Sequence, residues 1–309
     1  MNNVYEKWDE FFSEALKVNV PDIGKAEKIA YFGIGGSGIP GEALKLLDLP
    51  VKYDVFRGYK VNVDEKTTVF AVSYSGNTTE TLVALKRAEK LGVKKVVVIT
   101  GGGKLLEIAK AKGYPFLTLP KGLQTRYVFP YIFTYLVKLV NLSLGTDYKV
   151  SELLDAVKES KDKVKEMAEV LASKIKGKIP VFYASDYLPI AERFKQEVNE
   201  NAKYPAFFSQ LPEANHNEIE LYSEVYPFSF QPIVIPSDVI DERTAELIHA
   251  EVVKPFYSTP LKIISSMFLL AGYTSVRLAE YQNVKPEELR LIPKIREMTY
   301  KALEGELSD

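Results

Sequence analysis

An α/β fold of two similar doubly wound halves, each a parallel sheet covered by helices, is what this 309-residue sequence predicts. Three observations predict it. Short β-branched runs alternate with longer segments of helical rhythm, which is the pattern of βαβ units. The strands are continuous apolar runs, Lys95-Val96-Val97-Val98-Ile99 being the clearest, and such strands belong to sheets buried on both faces. The order of elements in the second half echoes the first at a spacing of about 120 residues, as a duplicated unit would. A charged helix beginning at Ser151 separates the halves, giving domains 1–150 and 151–309.

Residues 3–18 carry a helical apolar rhythm (Trp8, Phe11, Phe12, Ala15, Leu16) that stops before Pro21. Ile29 to Ile34 reads as a strand, Gly38 to Leu47 as a helix, and Lys52–Phe56 and Thr67–Ser73 as strands. Thr79–Leu91 is a strong helix, Lys95–Ile99 a buried strand, Leu105–Lys112 a helix and Phe116–Leu119 a short strand. The helix Tyr127–Leu144 closes this half, and Ser151–Ser173 connects it to the next with Lys158, Lys161, Lys163 and Lys165 on a solvated face. The second half then reads strand Ile179–Ala184, helix Pro189–Glu200, strand Gln231–Pro236, helix 242–254, strand Leu261–Ile264 and helix 266–282.

Composition removes several function classes. Forty basic and forty-one acidic side chains give a net charge of −1, without the basic surplus that holds a nucleic-acid backbone. Cysteine is absent, so disulfides, thiolate nucleophiles and cysteine–metal sites are excluded together. Only His216 and His249 exist, too few for a three-histidine zinc site. The N-terminus is too polar for a signal peptide, and Lys138 and Asn141 break the apolar stretch Tyr127–Leu144. A cytoplasmic protein with no membrane partner is the expectation.

Two loops carry the chemical signal. Gly33-Ile34-Gly35-Gly36-Ser37-Gly38 follows a strand and opens a helix, where glycines let backbone approach an anion. The segment satisfies G-x-G-x-x-G, but the acid that a dinucleotide fold wants at the tip of the second strand is missing: Asp54 lies inside the strand, and Arg57 follows it. Ser73-Tyr74-Ser75-Gly76-Asn77-Thr78 likewise lies between a strand and a helix, and places three hydroxyls around one point. Capping would need only one of them. Neutral donors and a helix dipole suit a phosphate dianion without a lysine. Both loops end neighbouring parallel strands and so face one crevice.

Gly35-Gly36-Ser37-Gly38 together with Ser73-Tyr74-Ser75-Gly76-Asn77-Thr78 resembles the sugar isomerase domains, which bind phosphosugars in such cups. Asn199-Glu200-Asn201-Ala202-Lys203 and Leu211-Pro212-Glu213-Ala214-Asn215-His216-Asn217 extend the likeness to the bifunctional phosphoglucose/phosphomannose isomerases. The resemblance implies that Gly36, Ser37, Ser73, Ser75 and Thr78 hold the phosphate. It implies Glu200 as the base that moves a proton between C2 and C1, with Glu197 on the same helix as an unmatched control. It assigns ring opening to His216, delivered from the second subunit of a homodimer, and charge stabilisation of a cis-enediolate to Arg126. The expected activity is interconversion of glucose 6-phosphate, and of mannose 6-phosphate, with fructose 6-phosphate, without metal or cofactor.

The tail departs from that family. Counting from Pro286 puts Arg296 where relatives carry a lysine and Leu289 where they carry a threonine, with Lys294 and Lys301 as alternatives under a shifted register. Arginine holds its proton too tightly for general acid–base work, so Arg296 would act electrostatically. Two readings compete: a phosphosugar sensor, which would tolerate loss of the Glu200 carboxylate, and a nicotinamide dehydrogenase using Gly33 to Gly38, which would tolerate changes in Ser73 to Thr78.

Overall fold

The computed structural model describes residues 3–308. Met1 and Asn2, the start of the polar N-terminus read above, and Asp309 lie outside the described residues. The chain forms two compact units: Glu10–Ser151 with Leu289–Asp309, and Met1–Asp9 with Glu152–Glu288. The two terminal segments are therefore exchanged relative to a simple division at residue 150.

Helix α1 (Trp8–Lys17) precedes the first unit's strands β1 (Lys28–Phe32), β2 (Lys52–Phe56), β3 (Thr67–Ser73), β4 (Lys95–Thr100) and β5 (Phe116–Thr118). All pair in parallel in the order β2-β1-β3-β4-β5, with Tyr31 opposite Phe70 and Phe70 opposite Val97. Every residue of central β3 is buried, whereas edge strand β2 stays half-exposed. Helices α2 (Ile39–Leu44), α3 (Thr79–Lys90) and α4 (Gly103–Lys112) lie between successive strands, and α5 (Phe129–Leu144) follows the last of them. Phe32, Val69, Ala71, Leu82, Leu85, Val98 and Leu105 form one core, where each large apolar side chain contributes about 1.5–3 kcal/mol by burial.

The second unit holds α6 (Glu152–Ile175), β6 (Ile179–Ala184), α7 (Leu188–Ala202), β7 (Phe207–Gln210), β8 (Phe230–Val234), α8 (Val239–Leu247), β9 (Glu251–Val252) and α9 (Pro260–Tyr281). Its parallel sheet has the order β7-β6-β8-β9, repeating the first four strands of the other sheet. Residues Tyr5 and Trp8 belong here because their rings bury within it: a Cβ on Gly272 of α9 would lie 2.4 Å from Tyr5 Cε1. The last helix, α10 (Ile292–Ser308), belongs to the first unit. It packs on α3, where Arg87 grips both Glu306 oxygens (Nη2–Oε1 2.7 Å, Nε–Oε2 3.3 Å).

Three expectations are corrected. The strand expected at Leu261–Ile264 is the first turn of α9, because Pro260 starts a helix whose Leu261, Ile263, Ile264, Met267 and Phe268 are all buried. The helix expected at 242–254 begins at Val239, capped by the Asp238 carboxylate, and ends at Leu247; His249 then turns the chain with φ 51° into β9. Helix α6, read as a connector, is also a core element: Lys158 and Lys163 stay exposed as expected, while Leu153, Ala156, Val157, Val164 and Leu171 bury its other side. Thr125–Leu144 and Pro260–Tyr281 are long and apolar enough to span a bilayer, yet both bury most of their length inside the protein, as core helices do.

Candidate active site

Strand order reverses between β1 and β3, and the two motif loops leave the carboxyl ends of these strands. This is the position where open α/β sheets take ligands. Gly36 shows how closely the loops approach. A Cβ there would lie 3.0 Å from both the Arg126 amide nitrogen and Thr125 Cγ2, so the turn carrying Arg126 packs directly on the glycine loop. Backbone and the Thr125 side chain fill that space, so this position requires a residue without a Cβ.

The hydroxyls of the second loop divide the work. Ser73, 1% exposed, lies 2.8 Å from Thr78 Oγ1 and accepts the Gly76 N–H at 3.1 Å, so it closes the turn. Ser75 is exposed and accepts the Asn77 N–H at 3.2 Å. Thr78 is half-buried at the N-cap of α3 but makes no side-chain cap bond. The helix's opening N–H groups are thereby left for another acceptor. Ser37 is buried, and its hydroxyl accepts the Tyr74 N–H at 3.1 Å, tying the two loops together. The Ser37 carbonyl in turn accepts from Tyr31, whose phenol is pushed well above its usual pKa by burial and so remains a donor. Gly76, with φ 69°, is obligatory: a Cβ would meet the Gly102 oxygen at 1.7 Å.

Arg126 is 2% exposed in the turn Thr125–Val128, with its guanidinium carbon 4.7 Å from the centre of the Tyr127 ring. The structure thus brings Gly36, Ser37, Ser73, Ser75, Thr78 and Arg126 together at one end of one sheet. Arg296 lies on α10 with its side chain exposed, as do Lys294 and Lys301; Lys301 pairs with Glu297 at 2.7 Å, and Leu289 precedes the helix.

Two residues of this region were not singled out from sequence. Tyr74 is the joint between loops: its hydroxyl donates to the Pro120 carbonyl and accepts from the Leu123 amide, both at 2.9 Å, and its carbonyl accepts from Gly101 at 2.9 Å. Lys121 lies in the segment that Tyr74 holds. Its place inside a quoted motif is the signal that marks Tyr74; no local pattern marks Lys121.

In the second unit, Glu200 is half-buried in the last turn of α7. Lys203, in left-handed conformation with φ 54°, caps that turn; its Nζ donates to the carbonyls of Glu200 (2.7 Å), Pro286 (2.9 Å) and Lys285 (3.1 Å). Glu197, one turn earlier, is no neutral control. It is 1% exposed, pairs with the equally buried Arg193, accepts from Tyr5, and takes a 2.6 Å bond from Asn201. His216 is exposed in the turn Glu213–His216, whose neighbour Asn215 is held by Thr244 at 2.9 Å.

The equivalent reversal in the second sheet, between β6 and β8, is built differently. There Asp241 Oδ2, from a side chain 1% exposed, accepts from the Ser185 hydroxyl (2.6 Å), the Ser237 N–H (2.9 Å) and the Ser237 hydroxyl (3.2 Å). A carboxylate of the chain itself occupies the donors. Among the described residues no group of three His, Asp or Glu side chains is placed to hold a metal ion.

The family model of the bacterial phospho-glucose isomerase C-terminal SIS domain matches residues 164–298. A D-glucosamine-6-phosphate 4-epimerase of Sulfolobus acidocaldarius is 65% identical over 305 residues, covering 99% of this chain and 100% of that protein. A bifunctional phosphoglucose/phosphomannose isomerase of Aquifex aeolicus is 34% identical, covering 96% of this chain and 98% of that one. The solved structure of a hypothetical protein of Thermus thermophilus superposes with a TM-score of 0.75 at 17% identity, covering 97% of this chain and 87% of that one, and so shares the fold.

Proposed function

The chain belongs to the bifunctional phosphoglucose/phosphomannose isomerase family of sugar isomerase domain proteins, and from that membership we propose that it is an enzyme that epimerises D-glucosamine 6-phosphate at C4. The observation that carries this reading is the 65% identity to the Sulfolobus acidocaldarius 4-epimerase across essentially both whole chains. The tail agrees with it under ungapped counting from Pro286, which puts Arg296 and Leu289 where the isomerase pattern has lysine and threonine, with Lys294 and Lys301 as the alternatives under a shifted register.

In this reading the crevice between β1 and β3 anchors the 6-phosphate through Ser75, Thr78 and the N–H groups at the start of α3, with Ser73, Ser37 and Gly36 shaping the loops. His216, exposed on its own chain, opens the sugar ring in the site of a second copy within a homodimer. Glu200 is the base, and Arg126 stabilises the negative charge that develops. The chemistry links epimerase to isomerase. Moving the C2 proton to C1 turns a 2-amino aldose into a C2 imine. That imine accepts the C3–C4 bonding pair as the C4 hydroxyl loses its proton, leaving a C4 aldehyde. Reforming the bond on the aldehyde's other face inverts C4, and the electron pair returns with no external oxidant.

A second reading, interconversion of glucose 6-phosphate and mannose 6-phosphate with fructose 6-phosphate, is favoured by the 34% identity to the Aquifex aeolicus isomerase. One experiment separates them. The enzyme is incubated with glucosamine 6-phosphate, glucose 6-phosphate and mannose 6-phosphate in turn, and products are resolved by proton NMR. Formation of galactosamine 6-phosphate is expected. Fructose 6-phosphate from the neutral sugars, with glucosamine 6-phosphate unchanged, would establish the isomerase instead.

A further inference from the structure

Beside the phosphate-binding hydroxyls lies a cavity of about 290 Å³ that no role assigned above uses; Tyr74, Ser75, Gly102, Gly103, Lys121 and Gly122 are among its lining residues. We propose that this cavity is the far wall of the phosphate site and that Lys121 supplies its cation, contacting the same dianionic phosphate as Ser75. The proposal rests on the reading that the crevice between β1 and β3 binds a 6-phosphosugar.

Three observations carry it. Ser75 and Lys121 line one cavity, although the phosphate motif and the segment after β5 are 46 residues apart. Their relative position is fixed, because Tyr74, the neighbour of Ser75, bonds on both sides of Lys121: its hydroxyl meets the Pro120 carbonyl and the Leu123 amide at 2.9 Å each. The lysine chain also lies across the glycine floor, since a Cβ on Gly102 would stand 3.9 Å from Lys121 Cε. Lys121 is exposed, and among the described residues its ammonium has no carboxylate or carbonyl partner. An unpaired cation held over a glycine floor beside an exposed hydroxyl is a device for an anion. The neutral cup expected from sequence therefore gains a charge from a loop that the motif does not contain. Lysine suits this role as a point charge whose reach adapts to the phosphate.

The test uses the full-length protein and two probes. Inorganic phosphate binding is measured by calorimetry, and glucosamine 6-phosphate turnover by NMR, for wild type, Lys121→Ala, Lys121→Arg and the equal-charge control Lys110→Ala on the exposed side of α4. Lys121→Ala is expected to weaken phosphate binding and raise KM about tenfold with kcat unchanged, Lys121→Arg to restore most of both, and Lys110→Ala to change neither. Unchanged binding in Lys121→Ala would overturn the proposal, as would an equal loss in Lys110→Ala, which would mean a general charge effect. If wild type turned over none of the sugars, the functional reading would fail while the phosphate measurement still decided the role of Lys121.

Discussion

The two sheets reverse their strand order in the same way, β2-β1-β3-β4 in one and β7-β6-β8-β9 in the other, and what lies at the two reversals differs. In the first unit, Ser75 is exposed, the half-buried Thr78 meets only the neutral Ser73 hydroxyl at 2.8 Å, and α3 begins without a side-chain cap. In the second, Asp241 Oδ2 gathers the Ser185 hydroxyl and both Ser237 donors, and Asp238 caps α8 through the N–H groups of Ile240 and Asp241. In the second unit a carboxylate of the chain itself meets the donors, whereas in the first the hydroxyls of Ser73 and Thr78 meet each other. Unmet buried donors are costly, and Asp241 supplies the internal partner for those of the second reversal.

The buried charges of the second unit sharpen this contrast, beginning with the largest expected effect. Glu197→Gln removes the countercharge of Arg193, where both side chains are 1% exposed, and should lower stability by about 3–5 kcal/mol in denaturant unfolding. Glu200→Gln, one turn on, should leave stability near wild type and reduce turnover at least ~100-fold. Equal stability losses in the two variants would show that the half-buried Glu200 is also structural. Asp241→Ala should cost about 2–3 kcal/mol by stranding the donors of Ser185 and Ser237. Added sulfate should then raise the melting temperature of this variant more than that of wild type, since an external anion can replace the lost carboxylate. No difference in the sulfate effect would mean that the second reversal has lost the shape of an anion site altogether.

How legible this was in the sequence depends on the range of each interaction. The loops Gly33 to Gly38 and Ser73 to Thr78 could be read because strand, glycine, hydroxyl and helix start are consecutive residues with local meanings. Strands β2, β3 and β6 were bounded correctly because their apolar runs end at turn residues. Leu261–Ile264 was misread because four apolar residues cannot tell a strand from the first turn of a buried helix; Pro260 was the signal for the helix. Strand β7 was missed because it is a four-residue edge strand whose Phe207 and Gln210 are exposed, so it lacks the buried apolar run. Tyr74 owes its position to contacts across more than forty residues, Lys121 shares a cavity with a serine 46 residues away, and Asp241 meets Ser185 across 56. Glu197 and Glu200 look alike in sequence. Only packing separates them, because Arg193, Tyr5 and Asn201 converge on the first.

The divergence of the two reversals is tested most directly by measuring KM for glucosamine 6-phosphate in Thr78→Val and Ser185→Ala side by side. Thr78 follows β3 and Ser185 follows β6, the counterpart of β1, so each variant removes one hydroxyl from the reversal of its own unit. Loss of a hydrogen bond to a charged phosphate corresponds to about 1.5–3 kcal/mol, so Thr78→Val should raise KM at least ~10-fold. Ser185→Ala should leave KM unchanged and lower only the melting temperature. A comparable rise in KM for Ser185→Ala, or none for Thr78→Val, would contradict the assignment of the phosphate to the first unit's crevice.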